Sequence, residues 1–346
     1  MSVKDITIIG GGPAGLYAAF YAGMRDLDVR IVETQKTLGG KINFYPEKLV
    51  WDVGGIPATT GANLIDQMVE QGRAFNPEVI LDQKISRFEK TADSLFASES
   101  ESGNRFLSKR IIVATGGGIF NPKKLPLQYD VKFEEKNLHY NIYRLNAFKG
   151  KKIVIVGGGN TAVDWANNLV EIADEVHLVH RNDKFKAHEF NYRKLIESAV
   201  TVHTHSLVSE IIPDQTGSFI TSIKIRNDQT DEDTILDLDE LVVNIGFDND
   251  LNFHHDPALN FQLKDDYYIE GSAKAQTAVE GVYAIGDILE FDGKVRLIAG
   301  AYNDAANAVN QIKQSLDPSA DEKAKVSSHN EVFDEKNKEM KERYYL

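Results

Sequence analysis

An α/β chain of two three-layer domains, the second inserted in the first, follows from three features of the sequence. The stretch "DITIIGGGPAGLYAAFYAGMRDLDVRIVE" (5–33) runs as strand, glycine turn, Ala-rich helix and strand, and "KIVIVGGGNTAVDWANNLVEIADEVHLVHR" (152–181) repeats that plan. Short β-branched runs on either side of a helix of moderate length predict parallel strands joined by a crossover. Each copy is followed by an alternating stretch that reads as antiparallel strands. The first is 85–116, with a turn at Ser102-Gly103-Asn104, and the second is 218–246, around a solvated acidic loop at Asn227–Asp233. Finally "VYAIGDILE" (282–290) and an Ala-rich helix (300–316) resume the plan of the first copy. The expected boundaries are 1–118 with 248–346 for the outer domain and 119–247 for the inserted one. A Lys/Glu-rich extension covers 317–346.

Composition narrows the chemistry. The 346 residues suit two domains with sizeable cores, and 26% charged residues make a globular composition. A net charge of −13 opposes nucleic acid or an anionic membrane as partner. No apolar run approaches the roughly 20 residues that a membrane helix needs, and the first strand begins within a few residues of the N-terminus, so a cytoplasmic protein is expected. There is no cysteine. Disulfides, thiolate-bound metals, iron–sulfur ligation and dithiol catalysis are therefore excluded, and no metal site is assigned.

The glycine segments carry the binding chemistry. Gly10-Gly11-Gly12-Pro13-Ala14-Gly15 lies between strand and helix, where a Gly-x-Gly-x-x-Gly pattern gains its meaning. Gly10 permits the tight turn, Gly12 the approach of a pyrophosphate and Gly15 close helix–strand packing. The helix N-terminus beyond offers free N–H groups to phosphate. Glu33, at the end of the second strand, can accept from ribose hydroxyls. In the second copy, Gly157-Gly158-Gly159-Asn160-Thr161-Ala162 has the same form, but His180 and Arg181 stand in the place of Glu33. A guanidinium grips a 2′-phosphate that a carboxylate would repel, so this site fits NADP. In Gly281-Val282-Tyr283-Ala284-Ile285-Gly286-Asp287, Asp287 would meet a polyol chain such as the ribityl of a flavin. The plan is that of two Rossmann-like three-layer (ββα) dinucleotide-binding domains.

With both loops, Ala114-Thr115-Gly116 and Gly286-Asp287, nearly the whole chain resembles the two-dinucleotide-binding flavoproteins of thioredoxin reductase-like architecture. Their redox-active cysteines fall here on Tyr140 and Tyr143. The chain is more similar still to bacterial ferredoxin–NADP reductases of thioredoxin reductase-like type, on "FYPEK" (44–48), "NLHY" (137–140), "VDWA" (163–166), "HRNDKFKAHE" (180–189) and "GKVRLIAGA" (293–301). The resemblance implies FAD and NADP as cofactors, a homodimer, and hydride transfer from NADPH to FAD with single electrons leaving for ferredoxin or flavodoxin. It places Tyr45 on one flavin face and His329 of "KVSSHNEVF" (325–333) on the other, with Ser327 and Ser328 near the ring edge. It further assigns Gly40, Lys41, Glu33, Ile85 and Phe120 to FAD contacts. The family's His-Arg-Arg-x-x-x-Arg stretch is altered at Asn182 and Lys186, which leaves Arg181, Lys184 and Lys186 for the 2′-phosphate with fewer forked donors.

No general base is assigned, since flavin chemistry needs none from the protein. Gly116–Gly118 and Gly246 are expected to serve as hinges. Both the acceptor proteins and this chain are acidic, so docking would need a local basic patch, for which Lys41, Lys48, Lys123 and Lys124 are candidates. Two alternatives stay open: an NAD(P)H oxidase or quinone/small-molecule flavin reductase on the same scaffold, and a nucleotide-binding redox sensor without turnover.

Overall fold

The computed structural model describes residues 2–250, 254–255, 259 and 261–345, with the backbone alone at 119–121, 247–250, 254–255 and 343–345. Two compact units are present, 1–119 with 249–346 and 120–248. Among the described residues the α-helices are α1 (Pro13–Met24), α2 (Gly61–Gly72), α3 (Asn160–Leu169), α4 (Glu189–Ile196), α5 (Ile298–Leu316) and α6 (Asp334–Tyr345). None is long and apolar enough to cross a membrane.

In the outer unit the central strand Lys4–Ile9 pairs in parallel with Val29–Val32 and with Arg105–Val113. Val29–Val32 pairs in parallel with Glu78–Ile80, and Val282–Ala284 with Arg105–Val113. The antiparallel run Ile85–Lys90, Phe96–Ser100, Arg105–Val113 extends the sheet, as its alternation predicts, and His254–His255 pairs in parallel with Ile85–Lys90 at its edge. Strand Lys4–Ile9 is buried from Ile6 onward because layers cover both faces: Ile6, Ile8 and Ile9 are in the core, and Thr7 between them is buried too. α1 pairs small residues, Ala14, Ala18, Ala19 and Ala22, against this sheet and α5, so the helices pack at short range.

The inserted unit repeats the parallel layer in the order Leu138–His139, Glu240–Val243, Lys152–Val156, Glu175–Val179, Thr201–His203. Its antiparallel layer has three strands. Ile220–Asn227 and Asp233–Asp237 flank the acidic loop as expected, while Ser206–Pro213 is an addition to that reading. Described residues of the extension after 317 contact the outer unit. Arg25 donates to the Asp321 carbonyl, Asn330 to the Met24 carbonyl at 3.0 Å, and Phe333 packs on Phe20 and Phe75.

Candidate functional site

The first glycine loop is built by close backbone approach. A Cβ on Gly10 would lie 2.4 Å from the Ala114 carbonyl oxygen, and one on Gly15 would lie 2.0 Å from the Gly10 carbonyl oxygen. A side chain at Gly10 would part the loop from the end of strand Arg105–Val113, and one at Gly15 would part the helix from the loop. Gly12 caps α1 without a side-chain bond, and Pro13 opens the helix with its φ already set. The N–H groups of that first turn stay uncapped, which suits an anion.

Two distant segments meet at this turn. The Gly39 N–H donates to the Gly11 carbonyl at 2.9 Å. Gly40 faces Gly12 so closely that its Cβ would lie 2.8 Å from the Gly12 Cα. Gly286, at φ +74, lies against Ala14, where a Cβ would have 3.0 Å. Asp287 is thereby delivered to the N-terminal end of α1. Lys41 follows Gly40 in the 3-10 turn Gly40–Phe44 and is exposed.

Glu33 is buried, and its carboxylate accepts from the Gly11 N–H at 2.6 Å and the Gln35 N–H at 2.8 Å. Burial raises its pKa, and those N–H groups act the other way. The carboxylate is thus aimed by the loop's own backbone, which leaves a further lone pair on each oxygen. The Gln83 N–H donates to the Glu33 carbonyl, which brings the start of the Ile85 strand beside it. Ile85 itself is a core residue, 3% exposed.

Tyr45 ends the 3-10 turn, half-buried against the core. The N-terminus of α2 holds its segment: Gly61 N–H donates to the Lys48 carbonyl and Ala62 N–H to the Pro46 carbonyl. Burial, with Asp287 and Asp52 nearby, pushes the Tyr45 hydroxyl up to about 12, so it stays a phenol. Among the described residues, four buried hydroxyls of this unit lack a hydrogen-bond partner: those of Thr7 and Ser98 in the sheet, and those of Thr115 and Tyr267. Thr115 borders Gly10, and Tyr267 is close enough to Asp287 to feel its charge. Beside the glycine loop and Asp287 such orphans suit a polar ligand; Thr115 belongs to the Ala114-Thr115-Gly116 motif, whereas nothing in the sequence pointed to Tyr267. An uncapped helix end, a side-chain-free backbone at Gly12 and Gly40, the acids Glu33 and Asp287, and orphaned hydroxyls fit FAD.

The second loop is built alike. A Cβ on Gly157 would lie 2.3 Å from the Asn244 carbonyl oxygen, whereas one on Gly159, the uncapped N-cap of α3, would meet nothing within 4 Å. Asn244 Oδ1 is buried without a partner at the same loop. His180 packs its ring on Gly158, where a Cβ would lie 2.0 Å from it, and on Phe185 at 4.7 Å. The Lys186 N–H donates to the Gly158 carbonyl at 2.7 Å, which folds the basic stretch back over the loop. Arg181, Lys184 and Lys186 are exposed there. Asn160 Oδ1 accepts from His188 N–H and Asn191 Nδ2, Thr161 is exposed, and Ala162 is buried in the helix–strand seam. This site fits NADP, with Asn244 as an unforeseen member.

Other expected residues are placed elsewhere. His329, Ser327 and Ser328 form a short turn beside the C-terminal end of α1. Twelve residues of helix separate that end from the glycine loop, about 17 Å at the α-helical rise. Within one chain they are not brought to Tyr45. Of Phe120 only the backbone is described, in the strand Ile119–Pro122; its side chain lies outside the described residues. Tyr140, half-buried, hydrogen-bonds the Tyr129 hydroxyl at 2.6 Å and Glu134 at 3.3 Å, while Tyr143 is 59% exposed. Among the proposed docking lysines, Lys124 pairs with Glu134, and Lys41, Lys48 and Lys123 have interactions of their own.

Two dinucleotide folds, each with an open helix N-terminus, define a two-nucleotide oxidoreductase. The chain belongs to the pyridine nucleotide-disulphide oxidoreductase family, whose profile matches residues 4–311. Ferredoxin–NADP reductase 1 of Bacillus licheniformis is 44% identical over 342 residues, which span 99% of this chain and 98% of that one. Ferredoxin–NADP reductase 1 of Oceanobacillus iheyensis is 45% identical over the same shares of each chain. Among solved structures, the thioredoxin reductase of Lactococcus lactis in its FR conformation aligns with a TM-score of 0.72 at 25% identity, over 90% of this chain and 98% of that one.

Proposed function

We propose that the chain is an FAD-dependent ferredoxin–NADP reductase, with the outer unit binding FAD and the inserted unit NADP. The carrying observation is the pairing of two phosphate-binding helix ends with a chain that has no cysteine. The near-full-length likeness to the Bacillus licheniformis and Oceanobacillus iheyensis reductases supports this acceptor class.

FAD supplies hydride acceptance from NADPH and release of single electrons. The protein's part is to bind, orient and shield. Gly10, Gly12, Pro13, Ala14 and Gly15 receive the pyrophosphate, Glu33 the adenosine ribose and Asp287 the ribityl chain. Gly40 and Lys41 close over the loop, and Ile85 and Phe120 border the nucleotide. Tyr45 stacks on the flavin as a neutral phenol. In the inserted unit Gly157, Gly159, Asn160, Thr161 and Ala162 receive the second pyrophosphate. His180, Arg181 and Lys186 receive the 2′-phosphate. Since the tail is anchored at the far end of α1, a flavin-facing role for His329, with Ser327 and Ser328, requires the flavin of a second copy. A cytoplasmic homodimer is the matching assembly.

The test is anaerobic reduction of FAD-loaded protein with NADPH, followed by ferredoxin or flavodoxin. Bleaching of the flavin by NADPH and its reoxidation by either carrier, faster than by quinone or oxygen, supports the reading. Bleaching followed by faster reoxidation with quinone or oxygen would make it an oxidase or a small-molecule reductase.

A further inference from the structure

The buried charge pair between Lys294 and Asp304 has no part in the assignments above. Each side chain is 2% exposed, and the two are in direct contact. Lys294 lies in the loop before α5, its ammonium 5.6 Å from the centroid of the Phe291 ring. Asp304 lies on α5, where the neighbouring buried residues are small or apolar: Ala301, Ala305, Ala308 and Val309. Stability alone does not account for such a pair, because apolar side chains of similar volume do as well or better in a buried place. An apolar residue cannot, however, hold a backbone N–H.

That is what Asp304 does. Its Oδ2 accepts the Gly286 N–H at 3.0 Å, a buried bond across eighteen residues of chain. Gly286 in turn lies on Ala14 of α1 at a left-handed φ of +74. One carboxylate therefore ties α5 to the turn that carries Asp287. The same proximity sets Asp304 and Asp287 against each other as like charges. An unneutralised inner carboxylate would push the outer one away from the turn, and Lys294 balances that charge from within.

We propose that Lys294 and Asp304 are positioning residues of the flavin site: Asp304 fixes the Gly286 N–H and so the direction in which Asp287 meets a ribityl hydroxyl, and Lys294 balances the charge of Asp304. The inference rests on the FAD reading of Asp287. It implies that cofactor affinity depends on a pair that does not touch the cofactor.

The experiment compares Asp304→Asn, Lys294→Met, the double variant and Asp287→Ala in the full chain stripped of flavin. Three quantities are read: the melting temperature of the apoprotein, the FAD dissociation constant from flavin fluorescence quenching, and the visible circular dichroism of bound flavin. Each single variant of the pair leaves a buried charge without its partner, so both stability and FAD affinity fall. The double variant is neutral and nearly isosteric, so its melting temperature returns towards that of the parent. Its FAD binding stays weaker by about tenfold, the difference between a charge-assisted and a neutral hydrogen bond to Gly286, and its visible dichroism stays altered. If the double variant regains FAD affinity together with stability, the pair is a folding element and the inference fails. If Asp287→Ala binds FAD normally, the flavin reading of Asp287 fails and takes the inference with it. Should a single variant not fold, the double variant alone decides.

Discussion

Gly157 and Gly159 stand two residues apart in one loop, yet a methyl group added to each should act on different properties. At Gly157 the new Cβ would meet the Asn244 carbonyl oxygen at 2.3 Å, its carbonyl carbon at 2.9 Å and the Ala162 Cβ at 2.9 Å. Backbone would have to move by about 1 Å, an overpacking that costs about 1–3 kcal/mol. At Gly159 nothing lies within 4 Å, and the backbone, at φ −86 and ψ 173, already suits alanine. The unfolded chain loses about 0.4–1 kcal/mol of freedom on such a change, in favour of folding. Alanine is a poorer N-cap than glycine by a similar amount, so stability should be unchanged within about 1 kcal/mol. The open space beside Gly159 is where a pyrophosphate would approach. A methyl group there lengthens and breaks about one charge-assisted hydrogen bond, about 1.5–3 kcal/mol, or roughly ten- to a hundredfold in Kd. Differential scanning fluorimetry and NADPH titration of both variants measure the two effects. A Gly159→Ala protein that binds NADPH as the parent does would refute the assignment of this loop.

Three further outcomes follow from the same geometry. Tyr140→Phe removes the bonds to Tyr129 and Glu134 and should lower stability in urea by about 1 kcal/mol while leaving turnover intact; a loss of turnover at full FAD and NADPH occupancy would mean the tyrosine acts in electron transfer. Arg181→Gln should raise the KM for NADPH by about tenfold, through loss of a forked phosphate contact, and leave that for NADH unchanged; equal effects on both would place the 2′-phosphate elsewhere. Glu240 is bound by His139 at 2.6 Å and Lys151 at 2.5 Å. Burial alone would raise its pKa, but these partners outweigh burial and hold it below its ordinary value of 4.5. The unfolded chain therefore takes up the proton first. The stabilisation is present above about pH 4.5 and is lost as pH falls through the lowered folded value. Glu240→Gln should lower neutral-pH stability by about 2 kcal/mol and flatten the acid limb of the melting curve between those values; an unchanged acid limb would show that the carboxylate does not drive it.

The two-domain α/β plan was legible because each level of the sequence agreed with the next. Strand Lys4–Ile9 ends in the apolar-rich run Ile6–Ile9, Gly10 stands where a side chain would strike backbone, and Lys152–Val156 with Gly157 repeats both signals. Gly286-Asp287 could be read because a glycine and an acid end an apolar strand. Asn244 and Tyr267 could not be read as site candidates, nor could the orphaned hydroxyl within the Ala114-Thr115-Gly116 motif. Their type is ordinary, and only the folded chain reveals buried polar atoms without partners. Ser206–Pro213 escaped because half its residues are exposed and its alternation is shallow. The attachment of the tail to α1 was illegible for a related reason. A Lys/Glu-rich stretch gives no period to follow, and its attachment depends on a few residues, Asn330 and Phe333 among them.

That attachment orders events during synthesis. Phe20 and Phe75 leave the ribosome long before Phe333, which packs on them both. The nascent outer domain carries this aromatic face without Phe333 while the whole inserted unit is translated. Maturation of the domain thus ends with a late, small closure by its own last segment.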